Sequence, residues 1–270
     1  MPYLNLSTAK LYYEDEGAGD ETLVFGHSML FNLRMFDDQV NFLKGNYRCV
    51  RFDFRGQGKS EITSNGYDLD SLTEDVNELI KALDCGPCHF VGFSMGGMIA
   101  MRLAIKYPIA IKSLILIDTS SEPEPASLRN KAMLLVGKYL GLKVLANQVM
   151  AMFFGADFLT DSKRKPIRET WKNYFLANDQ IGILKVIKGV LSRKGITKRL
   201  YKISHPTIIM VGGKDMLTDI EKAEIMKKNI KNSTLTLIPR AGHMSPVEAP
   251  ELINSSIQQF LLNLPYEKSV

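Results

Sequence analysis

The feature that most constrains the fold is an alternation of short β-rich runs with helical runs over the first 120 residues. This alternation predicts a largely parallel sheet that is covered by helices on both faces. The predicted strands lie at residues 2–5, 10–15, 22–26, 48–53, 89–93 and 113–118, and helices are predicted between them at 34–43, 72–83 and 96–107.

The alternation stops after Asp118 and returns only near Pro206. Residues 121–200 follow a polar, proline-marked segment and carry apolar residues at helical spacing, without a strand pattern. Strands are predicted again at 206–211 and 233–238, and helices follow at 217–228 and 250–262. The expected organisation is a core domain of residues 1–120 and 201–270, interrupted by a helical lid (cap) domain of residues 121–200.

Composition excludes several classes of protein. Apolar residues make up 45% and charged residues 23% of the 270 residues, as is typical of globular domains. No run approaches the roughly 20 apolar residues that span a bilayer, and the first ten residues lack a secretory signal. We therefore expect a cytoplasmic protein without a transmembrane segment.

Cys85 and Cys88 lie between a predicted helix and a predicted strand. This position predicts that the two cysteines belong to a turn and do not form a redox pair.

Positive charge is concentrated in the helical insertion. The net charge is +5, but residues 121–200 contain 15 basic and 6 acidic residues. No recognisable nucleic-acid-binding module accompanies these residues, so nucleic acid is not an expected partner. Two explanations stay open: a solvated lysine-rich surface, or recognition of an anionic substrate or an acidic carrier protein.

A candidate nucleophile lies in Gly92-Phe93-Ser94-Met95-Gly96, which follows a predicted strand and opens a predicted helix. This is a G-x-S-x-G sequence in a strand–turn–helix setting. The turn is so tight that the residues two positions before and after Ser94 must lack side chains, and it directs the serine hydroxyl outward at a helix N-terminus. Ser94 is therefore predicted to be a catalytic nucleophile.

A serine hydroxyl needs a histidine base and an orienting carboxylate to become reactive. His243 lies in a loop after the last predicted strand and is the candidate base. The other three histidines adjoin predicted strands: His27, His89 and His205. Asp215 follows the strand at 206–211 and is the favoured carboxylate, whereas Asp118, at the end of the strand at 113–118, is the alternative.

With these residues in place, the chain resembles the capped α/β-hydrolase-fold enzymes over nearly its whole length. Two further segments carry the resemblance: the sequence from Asp53 to Ser60 is similar to the family's D-x-R-G-x-G-x-S turn, and Gly242-His243 is followed by Glu248-Ala249-Pro250-Glu251. The resemblance implies a mostly parallel eight-stranded sheet with helices on both faces and an α-helical lid inserted after the sixth strand.

The resemblance also implies an oxyanion hole made of two backbone N–H groups. One is that of Met95, and the other comes from the loop at residues 25–30, where Met29 aligns best. Ser28 stands where most relatives have glycine. The stretch from His27 to Phe36 resembles the matching loop of 3-oxoadipate enol-lactonases, which points to esterases of that kind.

The expected reaction is hydrolysis of a carboxylic ester, lactone or thioester through an acyl-enzyme, with Ser94, His243 and Asp215 as a catalytic triad. It needs no metal and no cofactor. The expected partner is a small-molecule acyl substrate, and an anionic or carrier-bound form is one hypothesis for it. Similar folds also cleave C–C bonds, act as cofactor-free perhydrolases or oxygenases, or serve as ligand receptors, so these alternatives stay open. Both a monomer and a homodimer are compatible with the sequence.

Overall fold

The computed structural model describes residues 2–124 and 127–264. In this part of the chain, eight strands form one sheet in the spatial order β1-β2-β4-β3-β5-β6-β7-β8. The strands are β1 (Tyr3–Asn5), β2 (Lys10–Glu16), β3 (Thr22–Gly26), β4 (Arg48–Phe52), β5 (Cys88–Phe93), β6 (Ile111–Ile117), β7 (Thr207–Gly212) and β8 (Ser233–Ile238). The first two strands are antiparallel to their neighbours, and the other six are parallel.

Helices connect the parallel strands and fill the gap between β6 and β7. The helices are α1 (Asp37–Leu43), α2 (Leu69–Ala82), α3 (Met95–Lys106), α4 (Leu128–Leu140), α5 (Leu142–Phe153), α6 (Ala156–Thr160), α7 (Lys165–Leu176), α8 (Gln180–Leu191), α9 (Ile220–Asn229), α10 (Ser245–Glu248) and α11 (Pro250–Leu262). The helix predicted at 34–43 is divided in two, because Asn32 caps a 3₁₀ turn at Leu33–Phe36 before α1 begins.

The central strands are buried on both faces, which explains their continuous apolar sequences. Every residue of β3 and β5 is buried. Successive side chains point to opposite faces of a strand, so Val24 and Phe90 pack into the core layer with α2 and α3. Phe25 and Val91 pack into the other layer, which contains α1 and α11.

The helices between β6 and β7 pack onto the loops at the carboxyl ends of the parallel strands. Phe31, in the loop after β3, lies 5.3 Å from the ring of Phe153 in α5 and 5.3 Å from that of Trp171 in α7. Ile196, which follows α8, donates its N–H to the carbonyl of Ser121 at 2.7 Å. These contacts place α5 and α7 over the edge where the predicted site residues lie.

The Cys85–Cys88 segment forms the turn between α2 and β5, as the sequence predicts. Both thiols are free and buried, and burial raises the pKa of Cys85 to about 11. A thiol in this state is a poor nucleophile, because the thiolate is the reactive form. Within residues 2–124 and 127–264, no helix has the length and apolar character needed to cross a membrane.

Candidate active site

Ser94 occupies a strained turn between β5 and α3. Its backbone has φ 51° and ψ −112°, a conformation that residues other than glycine rarely adopt. The neighbouring glycines are required by close packing: a Cβ on Gly96 would lie 1.9 Å from the carbonyl oxygen of Gly26, and one on Gly92 would lie 2.6 Å from that of Gly96. The G-x-S-x-G sequence is therefore explained by the geometry of this turn.

The turn brings Ser94 to His243, which is 149 positions away along the chain. The His243 Nε2 atom lies 2.9 Å from Ser94 Oγ, and its Nδ1 atom lies 2.8 Å from Asp215 Oδ2. All three side chains are nearly excluded from solvent. The structure thus brings the three predicted residues together in the order nucleophile, imidazole and carboxylate.

The Asp215 carboxylate is held by the turn that follows β7. It accepts hydrogen bonds from the backbone N–H of Leu217 at 2.7 Å, and from the N–H and the hydroxyl of Thr218 at 3.0 and 2.6 Å. Burial opposes ionisation, but the charge of His243 and these donors outweigh it and lower the pKa of Asp215 to about 2. Asp215 is therefore ionised at neutral pH.

Thr218 was not identified from the sequence. Its hydroxyl also lies 3.1 Å from His243 Nδ1, so it contacts both the carboxylate and the imidazole. The sequence signal for this contact is spacing: a threonine three residues after an aspartate in the turn that follows a strand can donate a hydrogen bond back to the carboxylate. We infer that Thr218 restrains the orientation of Asp215.

Asp118, the alternative carboxylate, makes different contacts. It accepts hydrogen bonds from the N–H of Gly212 at 2.7 Å and from the N–H and hydroxyl of Ser245. Within the described ranges, it has no hydrogen bond to His243. Complete burial and the nearby charge of Asp215 raise the pKa of Asp118 well above its ordinary value. The geometry therefore places Asp215, and not Asp118, against the imidazole.

The two candidate oxyanion donors, Met29 and Met95, both line the pocket beside Ser94. In the part of the chain that the structure describes, neither backbone N–H has a hydrogen-bond acceptor. The N–H of Gly96 donates to the carbonyl of His27 at 3.1 Å and so ties the loop after β3 to the start of α3. This contact fixes the position of the loop that carries Met29 relative to the helix that begins at Met95.

His27 is buried within this loop and is neutral. Its Nδ1 lies 2.6 Å from the carbonyl oxygen of Ser28, and its Nε2 accepts the N–H of Phe54 at 3.0 Å. Burial lowers the pKa of His27 to about 4. His89 lies 2.7 Å from the hydroxyl of Ser113 and His205 lies 2.9 Å from the carbonyl oxygen of Pro108, and neither histidine lines the pocket.

Acidification from pH 6.5 to pH 4 is expected to destabilise the fold through His27. The folded-state pKa of about 4 lies below the ordinary value of 6.5, so the unfolded chain binds a proton in this range that the folded chain excludes. The stabilising contribution is present above pH 6.5 and is lost as the pH falls, by about 3 kcal/mol in total. Urea unfolding at both pH values, for the protein and for His27→Gln, measures it.

The matched control is His205→Gln, which removes a histidine outside this loop. His27→Gln should show a smaller fall in unfolding free energy on acidification than His205→Gln. Equal falls in the two variants would contradict the assignment.

Glu248 joins the loop of His243 to the helices between β6 and β7. Its carboxylate accepts the N–H of Gly242 at 3.1 Å and the N–H of Gly155, between α5 and α6, at 3.0 Å. Burial raises the pKa of Glu248, although these donors oppose the shift. Gly242 immediately precedes His243, so the position of the imidazole depends on this carboxylate.

Replacing Glu248 with alanine is expected to lower ester turnover about tenfold or more and to reduce the free energy of unfolding by about 1–3 kcal/mol, because two buried N–H groups lose their acceptor. Glu248→Gln keeps one acceptor oxygen and should have a smaller effect. Glu251→Ala removes an exposed glutamate from the next helix and serves as the control. Steady-state kinetics and urea unfolding measure both effects, and equal losses in both alanine variants would contradict the prediction.

A pocket lies directly above Ser94. Including the part that opens to solvent, its volume is about 1010 Å³. Its walls are mostly apolar side chains from α4, α5, α7 and α8, and Ser94, Thr218 and His243 form part of the lining. Among the methionines and aromatic residues of these helices and their connections, Met133, Met152, Phe153 and Phe175 line the pocket, whereas Met150, Phe154, Trp171 and Tyr174 do not.

The pocket wall also contains a charged side chain, Arg193, which the sequence pattern does not predict. Arg193 forms an ion pair with Glu124 at 2.8 Å and also donates to the carbonyl of Glu122 at 3.0 Å. The side-chain amide of Asn130 donates to Glu124 at 3.2 Å. Arg193 is thus compensated by a carboxylate and does not present a free positive charge to the pocket.

Known proteins of this architecture match nearly the whole chain. A family described as alpha/beta hydrolase fold matches residues 21–250. The chain is 31% identical to the AB hydrolase superfamily protein YisY of Bacillus subtilis (strain 168), over 93% of this chain and 94% of that protein. It is 27% identical to 3-oxoadipate enol-lactonase 2 of Acinetobacter baylyi, over 94% of each.

A solved structure agrees with these relatives. A thermophilic esterase from Thermogutta terrifontis superposes with a TM-score of 0.88 at 25% identity, covering 96% of this chain and 98% of that one. The predicted fold class and the resemblance stated from the sequence are therefore confirmed. The chain belongs to the α/β-hydrolase family.

Proposed function

We propose that the protein is a serine hydrolase that cleaves a carboxylic ester, lactone or thioester through an acyl-enzyme. The observation that carries this proposal is the chain of contacts from Ser94 through His243 to Asp215, with distances of 2.9 and 2.8 Å. Serine, imidazole and carboxylate in this order form the constellation used for acyl transfer in several unrelated folds. Relatives named as an enol-lactonase and an esterase support the same reaction class.

In the proposed reaction, Ser94 Oγ attacks the carbonyl carbon of the substrate while His243 Nε2 takes the hydroxyl proton. The ionised Asp215 stabilises the imidazolium that forms. The N–H groups of Met29 and Met95 donate to the oxyanion, and each such donor typically stabilises the transition state by about 3 kcal/mol. His243 then protonates the leaving group and activates a water that releases the acid.

We also propose that residues 121–200 form the lid over this site. Three observations support it: α4, α5, α7 and α8 supply most of the pocket lining, Phe153 packs against the ring of His243, and Glu248 binds the N–H of Gly155. The lid would set substrate choice, whereas the residues of the core domain would perform the chemistry.

Fluorophosphonate labelling combined with a p-nitrophenyl ester assay tests the proposal. Fast labelling of Ser94 with turnover of the ester supports a hydrolase. Fast labelling with negligible turnover of esters, lactones and thioesters would favour a ligand receptor and would overturn the proposal.

The pocket favours an apolar acyl group, because its charged arginine is already paired with Glu124. A panel of p-nitrophenyl esters with neutral and carboxylate-bearing acyl groups of equal length measures this preference as kcat/KM at low salt. A higher kcat/KM for the neutral esters supports an apolar acyl group. A higher value for the carboxylate-bearing esters would support the anionic substrate that the basic insertion suggests.

A further inference from the structure

Large apolar side chains project into solvent from α4 and the start of α5. Leu128 is 84% exposed, Leu135 56% and Tyr139 71%. Their spacing of seven and four residues places them on one face of α4. Leu140 and Val144, on either side of Gly141 where α4 meets α5, are also exposed. We call these five residues the outer lid surface.

The opposite face of α4 is apolar as well. Met133 and Leu134 on this face line the pocket above Ser94, beside the polar side chain of Asn130. A surface helix of a globular protein usually buries one apolar face and exposes a polar one. An exposed apolar patch on the second face is typical of a surface that contacts another protein or a membrane.

Basic residues accompany this patch, and acidic residues are missing from its sequence. Residues 127–156 contain Arg129, Lys131, Lys138 and Lys143 and no aspartate or glutamate. The Lys138 ammonium lies 5.0 Å from the ring centroid of Tyr139, so a positive charge stands next to the apolar face. The electrostatic complement of these basic residues is a surface of negative charge.

One acidic residue does approach from a neighbouring helix. The side chain of Gln180 donates to the carbonyl of Lys138 at 3.1 Å, which places the start of α8 beside the end of α4. Asp179 precedes it, but its carboxylate accepts the N–H groups of Ile181 and Gly182 at 2.8 and 3.0 Å. Asp179 is thus engaged as the N-cap of α8, and among the described side chains it forms no ion pair with Lys138 or Lys143.

We infer that the outer lid surface docks onto a lipid aggregate that carries anionic headgroups. In this arrangement the apolar side chains enter the boundary between headgroups and acyl chains, and Lys138 and Lys143 contact the headgroups. A second copy of the chain fits less well, because two-fold pairing through this face would bring the lysines of both copies together. The inference does not depend on the proposed hydrolase activity.

Co-sedimentation of the full chain with vesicles tests the inference. One set of vesicles contains phosphatidylcholine alone, and the other contains three parts phosphatidylcholine to one part phosphatidylglycerol. Binding is expected for the anionic vesicles, weakening at high salt. The double variant Leu135→Gln/Tyr139→Ser and the double variant Lys138→Gln/Lys143→Gln should each bind at least tenfold more weakly.

Matched controls use equally exposed residues elsewhere. Leu262→Gln and Lys202→Gln/Lys228→Gln should bind as the unchanged protein does, and thermal unfolding checks that every variant is folded. Absence of binding to the anionic vesicles, or equal loss in the control variants, would overturn the inference. A dimer in sedimentation velocity that Leu135→Gln/Tyr139→Ser dissociates would assign this face to a second copy and would also overturn it.

Discussion

Replacing Ser94 with alanine is expected to lower kcat/KM for a p-nitrophenyl ester by about 10⁵-fold or more. The variant keeps the imidazole, the carboxylate and the two backbone donors but cannot form the acyl-enzyme. Activity is measured with enzyme in excess so that slow turnover is detected. The same variant should no longer react with a fluorophosphonate probe.

Ser120→Ala is a suitable control, because Ser120 is also buried and lies near the same sheet edge, but it does not line the pocket. It should retain most of the activity. If Ser94→Ala kept more than about one tenth of the activity while folded, another nucleophile would have to be sought.

Replacing Asp215 with asparagine is expected to lower kcat by about 10⁴-fold. The amide cannot stabilise the imidazolium, and its NH₂ group favours the wrong tautomer of His243. The Asp215 carboxylate accepts three hydrogen bonds from Leu217 and Thr218, so asparagine should keep part of the turn in place. Kinetics at neutral pH, together with thermal unfolding, separate loss of chemistry from loss of fold.

The informative comparison is Asp118→Asn. Asp118 bonds to Gly212 and Ser245, and asparagine retains one acceptor oxygen for these donors. We expect at most about a tenfold loss of kcat, since only the support of the His243 loop is weakened. If Asp118→Asn abolished turnover while Asp215→Asn did not, the roles assigned to the two carboxylates would be reversed.

The fold was largely predictable, because six of the strands lie in a parallel sheet and read as apolar runs bounded by turn signals. Predicted and observed strand ends differ by two residues or fewer. Helix starts were less accurate where a cap decides them: α2 begins at Leu69 and not at residue 72, because Asp68 accepts the N–H of Ser71 at 2.9 Å. The antiparallel pairing of β1 with β2 follows from the short connection between them, which cannot hold a parallel crossover, whereas the pairing of β2 with β4 depends on contacts that are distant in sequence.

The site was predictable where local geometry determines it. Ser94 could be found from the glycines that its turn requires, and His243 and Asp215 from their positions after strands. Thr218 has only the weaker local signal of its spacing from Asp215, and the contact of Glu248 with Gly155 could not be predicted, because it arises from how separate loops meet. The same holds for the pocket, since apolar spacing shows that a helix has a buried face but not which cavity that face lines.

The backbone conformation at position 94 restricts which amino acids can occupy that position. At φ 51° a side chain branched at Cβ is strained against its own main chain. Threonine is therefore disfavoured at this position on steric grounds, although its hydroxyl has nearly the same reactivity as that of serine. Cysteine, which is unbranched at Cβ, remains compatible with the bend. In this chain, the main-chain conformation at position 94 restricts the possible side chains there, independently of how reactive those side chains are.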